Sequence, residues 1–188
     1  MEAPGDIGEA RVRKLLEERG HRIIRNIMFR GMSAPTVQID LAVDLGARIG
    51  VIESKNYAGT VVGSAAESEW TQWRQPGEWR KFPSPIRQVS AQARELTKVF
   101  GVAAVGIVCF AGSATFPEIP GSTVSLAELG DLLEKLRTRG AVPDGVWSKM
   151  ENSTGEINPR LTRKHNRRLD RKHGRMTPGF ACCEMDAF

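Results

Sequence analysis

The stretch that most constrains this chain runs from Thr36 to Tyr57, TVQIDLAVDLGARIGVIESKNY. Apolar and polar residues alternate on both sides of Leu45-Gly46-Ala47-Arg48, the pattern of two strands joined by a tight turn. With Gly46-Ala47 as the loop, Asp40 stands directly across from Glu53, and Gln38 across from Lys55. Side chains two apart on a strand share a face, so Asp40, Glu53 and Lys55 are expected to converge on one side of the hairpin. Val37, Ile39, Leu41, Val43 and Ile52 then form the core-facing set. A slip of one residue would undo the convergence.

Two carboxylates facing each other across a strand pair repel, and each raises the other's pKa unless a cation neutralises them. Mg²⁺ suits that task, because it takes carboxylate oxygens and keeps several waters. A lysine two residues along can hold a phosphate or help deprotonate an attacking water. The arrangement therefore suggests metal-assisted attack of water on a phosphodiester. The alternative is that Asp40 and Glu53 are solvent-facing charges on an ordinary hairpin.

Ile39-Asp40, followed after one hairpin by Glu53-Ser54-Lys55, resembles the D…(D/E)xK signature of the restriction-endonuclease-like PD-(D/E)xK nucleases. The surrounding residues are closer to the nuclease-related domain (NERD) branch. The matching points are Gly8-Glu9, Gln38-Ile39-Asp40, Val51 to Gly59 (VIESKNYAG), Trp70 and Ser84-Pro85-Ile86-Arg87-Gln88. They span roughly Gly5 to Phe110. D…ExK alone is a weak pattern; ExKNYxG with the upstream QID and downstream PxxQ is far more specific. Ser84 departs from the asparagine more usual before this proline.

The resemblance implies an α/β fold, an α-β-β-β-α-β sandwich around a mixed sheet. It implies a Mg²⁺- or Mn²⁺-dependent DNA endonuclease, with Asp40, Glu53, the Ser54 carbonyl and Glu9 as the metal's donors or supports. Lys55 would position or deprotonate the attacking water, and Gln88 would belong to the active-site rim. Related Holliday-junction resolvases also carry a first-helix glutamate ahead of D…ExK, which keeps a resolvase-like enzyme open. So does a non-catalytic nucleic-acid-binding module whose carboxylates are relics. Similar cores often pair to cut both strands, so a homodimer is compatible.

The 188 residues suit one domain with an appendage, and 40% hydrophobic with 26% charged residues is ordinary for a soluble globular chain. Acidic residues near the start and no apolar run there argue against a signal peptide. The longest apolar run, Val102 to Ala111, is too short to span a bilayer, so no membrane role is expected. Cys109 lies in that run and Cys182-Cys183 are adjacent, which gives no disulfide framework and fits a reducing cytoplasm. The net charge of +5 favours a polyanionic partner, DNA in this reading.

The rest of the chain frames the hairpin. A helix is expected over Asp6 to Arg19, with Val12, Leu15 and Leu16 as its apolar stripe and Glu9 on the same face. Glu9 could equally sit there for the helix dipole. His21 to Phe29 reads as a strand, with His21 itself at the surface. Asn56 to Pro83 shows no clear periodicity. Its Trp70, Trp73, Trp79 and Phe82 are read first as packing residues, with Arg74, Arg80 and Lys81 as DNA contacts at the rim. Ser84-Pro85 opens a helix to about Phe100, with Gln88 in its first turn, where it could orient a water or phosphate or simply be solvated. Val102 to Phe110 is a strand, Gly121 to Ser125 adds another, and Leu126 to Arg139 is an amphipathic helix. The nuclease-like domain is expected over residues 1–140, followed by a linker and basic tail over 141–188. Arg163, Lys164, Arg167, Arg168, Arg171 and Lys172 in that tail are expected to bind phosphates, unless the tail is merely solvated. His165, His173, Cys182 and Cys183 match no zinc-finger spacing.

Overall fold

A computed structural model describes residues 4–118 and 121–154. Helix α1 (Pro4–Glu18) leads to strands β1 (Ile23–Phe29), β2 (Val37–Asp44) and β3 (Arg48–Lys55). Strands β4 (Gly59–Val62), β5 (Glu69–Gln75) and β6 (Glu78–Pro83) follow, then helix α2 (Pro85–Phe100) and strand β7 (Ala103–Phe110). The described chain closes with β8 (Ala114–Thr115), β9 (Thr123–Ser125), α3 (Leu126–Leu136) and α4 (Asp144–Glu151). The main sheet has the order β1-β2-β3-β7-β9, antiparallel across its first three strands and parallel from β3 to β9. This is the expected α/β sandwich around a mixed sheet.

The sheet is buried on both faces, which is why its strands are so uniformly apolar. On one side Val12 and Leu16 of α1, with Leu129 and Leu133 of α3, pack on Leu41, Val43, Ile52 and Ile107. On the other, Val89, Ala93 and Leu96 of α2 cover Ile39, Val51 and Val108. The expected single core set of the hairpin is thus divided. Leu41, Val43 and Ile52 lie in the first core, whereas Val37 and Ile39 lie in the second. The alternation breaks at Asp40. In the β1–β2 register its opposite number is Asn26, which drops out of the ladder and takes a φ of 50°.

The hairpin register is the expected one, with Asp44 against Ile49 and Leu41 against Ile52. Gly46 has a φ of 88°, which a side chain would resist. Thr138 reaches over from beyond α3 to brace this turn. Its Oγ1 accepts from the Ala47 amide at 2.9 Å and donates to the Leu45 carbonyl at 3.0 Å. Thr138→Val keeps the shape and loses both bonds. It is expected to cost about 1 kcal/mol, read as a melting temperature lower by roughly 2–4 °C.

Two parts of the chain differ from the sequence reading. Residues 59–83, where no periodicity was read, form three strands that with β8 make a second sheet of order β6-β5-β4-β8. Its inner face contributes Val61, Trp70 and Phe82 to the core, with the Trp70 ring stacked on Phe110 at 6.4 Å. Beyond residue 140, where a linker was expected, the fold continues. Trp147 and Met150 of α4 are fully buried against the α2-side core, the Met28 amide donates to the Ser153 carbonyl, and Ile27 bridges Thr154. The helix expected to reach Arg139 stops at Leu136, because Arg137 turns extended to cross back to the hairpin. No helix among the described residues is long and apolar enough to cross a membrane.

Candidate active site

The β2–β3 ladder ends at Leu41 and Ile52, and the next step in register is Asp40 and Glu53. From there β3 stays paired with β7 through Lys55, while β2 stays paired with β1. The sheet therefore forks where the charged residues begin. Glu53 is almost fully buried at 3% exposure, a position a carboxylate holds only when well partnered. The Lys55 ammonium donates to its Oε1 at 2.5 Å. The Gln88 amide donates to its Oε2 at 2.6 Å, and Gln92 reaches the same oxygen at 3.4 Å.

Gln88 and Gln92 stand one turn apart in the first half of α2, whose start is well specified. Ser84 caps it, accepting from the Arg87 amide, and Pro85 opens the first turn. The departure from asparagine thus leaves the cap function intact. Gln92 was not singled out by the sequence reading. The signal was its position four residues after Gln88, on the same helical face. It also donates to the Gln38 carbonyl at 2.9 Å, and its own Oε1 is buried without a hydrogen bond among the described residues.

Helix α1 meets the end of β3 closely. A Cβ at Gly8 would stand 2.9 Å from that of Asn56 and 3.2 Å from Ser54 Oγ, so glycine is what lets the helix approach. Glu9 follows at once, half-buried and near enough to act on Asp40 electrostatically. Burial, then Glu53 and Glu9, raise the Asp40 pKa to about 7, with Lys55 opposing. For Lys55, burial lowers the pKa, but the charge and hydrogen bond of Glu53, with Tyr57 and Asp40, prevail and raise it. The lysine is held as a cation.

Asp40 is thus coupled electrostatically to Glu9, Glu53 and Lys55, and Lys55 and Gln88 hold Glu53. A family model for the nuclease-related domain (NERD) matches residues 4–114. The chain belongs to the nuclease-related domain family. No curated protein matches it. The crystal structure of a protein of unknown function, AF1548, is similar at 12% identity with a TM-score of 0.35, covering 82% of this chain. The chain spans 64% of that protein's length, less than two thirds.

A metal ion fits the donor set of this nuclease-related domain in its chemistry. Glu53 and Glu9 add their charge to the burial that drives the Asp40 pKa upward, and Lys55 offsets only part of it. Ser54 Oγ beside them is buried without a hydrogen bond among the described residues. As the side chains stand, no three His, Cys, Asp or Glu residues among the described ones are gathered closely enough to hold a metal. Glu53 instead spends its oxygens on Lys55 and Gln88. A cavity of about 530 Å³ opens beside Asp40, lined by Gln38, Gln88, Gln92 and Glu95 together with smaller residues.

The expected nucleic-acid contacts separate. Arg74 pairs with Glu78 at 3.6 Å and Lys81 approaches Glu69 at 4.0 Å, both at the surface. Arg80 has no acidic partner among the described residues and lies over the Tyr57 ring at 4.7 Å. Trp70 and Phe82 pack as expected, but Trp73 and Trp79 form an exposed cross-strand pair on the outer face of the second sheet. Arg163, Lys164, Arg167, Arg168, Arg171, Lys172, His165, His173, Cys182 and Cys183 lie outside the described residues.

Proposed function

We propose that this protein is a divalent-cation-dependent nuclease that hydrolyses phosphodiester bonds in DNA. The observation that carries this reading is the forked hairpin, where Lys55 is paired to Glu53 and the Asp40 pKa is raised to about 7 by burial, Glu53 and Glu9. Asp40 and Glu53 would hold Mg²⁺ or Mn²⁺, with the Ser54 carbonyl and Glu9 in support. When bound, the ion would supply an acidified water and neutralise charge on the phosphate. Gln88 and Gln92 keep the Glu53 carboxylate in one orientation, which spares the site that ordering at the moment of reaction. Lys55, kept protonated by Glu53, offers a cation to the phosphate as negative charge grows there. Its raised pKa favours this electrostatic role over proton acceptance.

The test is incubation of the purified chain with supercoiled plasmid, single-stranded DNA and a four-way junction, in Mg²⁺, Mn²⁺ or EDTA. Nicking that needs the cation is the expected result. Symmetric paired cuts confined to the junction would mark a resolvase. No cleavage of any substrate, with a salt-sensitive gel shift that EDTA leaves unchanged, would overturn the nuclease in favour of a binding module.

A further inference from the structure

Gln72 is a fully buried polar side chain that the proposed chemistry does not use. A buried amide costs stability unless both ends are paired. Here both are. Its Nε2 donates to the Ala58 carbonyl at 2.6 Å, and its Oε1 accepts from Arg80 Nε at 2.7 Å. Arg80 is exposed, yet it is gripped at Nε and laid on the Tyr57 ring, while its two terminal amino groups make no hydrogen bond or ion pair among the described residues. A guanidinium held in this way keeps its fork free for an anion with two adjacent oxygens and loses little entropy on binding one.

The location narrows the anion. Tyr57 lies two residues beyond Lys55, so their Cα atoms are at most about 7 Å apart. Successive phosphates of one strand rise about 3.4 Å along a duplex. Gln72 and Arg80 pair across β5 and β6 on the face that Trp70 and Phe82 turn inward, whereas Lys81 points the other way. Arg80 thus faces the Tyr57 side next to the fork and Lys81 faces away from it.

We propose that Arg80, fixed by Gln72 and Tyr57, clamps a backbone phosphate of the nucleic-acid strand one or two nucleotides from the bond at Lys55. The assignment rests on the nuclease reading for its substrate, and binding measured without cleavage tests it separately. The probe is a fluorescein-labelled DNA oligonucleotide titrated with the full chain in EDTA at several salt concentrations. Arg80→Ala is expected to weaken binding about tenfold at low salt and to reduce the log–log salt slope by about one, as loss of one phosphate contact requires. Arg80→Lys should keep the slope while losing part of the affinity, because a point charge replaces the fork. Gln72→Leu should likewise keep the slope and lose affinity a few-fold, and Lys81→Ala should change little. In cleavage assays Arg80→Ala should raise KM with kcat nearly unchanged. An unchanged slope for Arg80→Ala, or an equal loss for Lys81→Ala, overturns the clamp even if the protein cleaves DNA. A wild-type protein that binds but never cleaves removes the nuclease reading and leaves the slope comparison in force. Absence of any salt-dependent binding overturns both.

Discussion

Lys55→Ala and Glu53→Gln should each reduce phosphodiester cleavage by about 10³-fold, the scale on which single preorganised electrostatic groups act, while DNA binding stays within about twofold. The two variants separate chemistry from folding because they perturb the buried pair in opposite ways. Lys55→Ala removes the ammonium 2.5 Å from a carboxylate that is only 3% exposed, leaving Glu53 with Gln88 and Gln92 as donors. Breaking one side of a buried pair is costly, about 3 kcal/mol, so this variant should also melt at a lower temperature. Glu53→Gln keeps the volume and removes the charge, relieving Asp40 of one repulsive neighbour. It should lose activity as completely and stability much less. Initial rates on plasmid, with thermal melts and anisotropy binding on the same samples, decide the matter. A Glu53→Gln protein that folds, binds and still cleaves at near wild-type rate would remove Glu53 from the reaction.

Much of this site was legible because its logic is local. The two-residue turn fixes the hairpin register, and that register alone puts Asp40 beside Glu53. The Ser84-Pro85 start of α2 likewise fixes where Gln88 stands on its helix. What was not legible depends on partners distant in sequence. Strand β5, EWTQWRQ, turns Trp70 and Gln72 inward and leaves Trp73 exposed among polar residues, so its alternation does not read as apolar against polar. Only the Pro76-Gly77 turn, with Gly77 at a φ of 81°, marked the second sheet in the sequence. Helix α4 is short and polar except for Val146, Trp147 and Met150, and it is held by the core it completes. The break at Asp40 had one visible sign, Asn26, a residue type that tolerates positive φ.

The burial of Asp40 beside Glu53 and Glu9, which fits the site for a cation, should weaken the fold in the cation's absence. Asp40 titrates near 7 in the folded chain against 3.8 as an ordinary aspartate. Between those values the folded state holds a proton that the unfolded state has released, so stability falls as pH rises through the window and levels off above about 7. The full effect is on the order of 4 kcal/mol, or roughly 8–16 °C in melting temperature. Glu95 acts on the acid side, held to a pKa of about 2 by the Ser33 amide and Lys98, so its stabilisation is present above 4.5 and lost as pH falls toward 2. Together they place the stability maximum near pH 4–5. His21, whose pKa burial and Arg137 lower, opposes the Asp40 slope below its ordinary 6.5 but does not depend on metal. Melts from pH 3 to 8.5, with and without Mg²⁺, should show the neutral-pH loss recovered by the ion, because a ligand bound only by the folded state adds its binding energy to stability. Asp40→Asn should flatten the falling limb and remove the gain from Mg²⁺ together. A falling limb that survives in Asp40→Asn would assign it to another group, and Mg²⁺ stabilisation that survives would place the cation away from the fork.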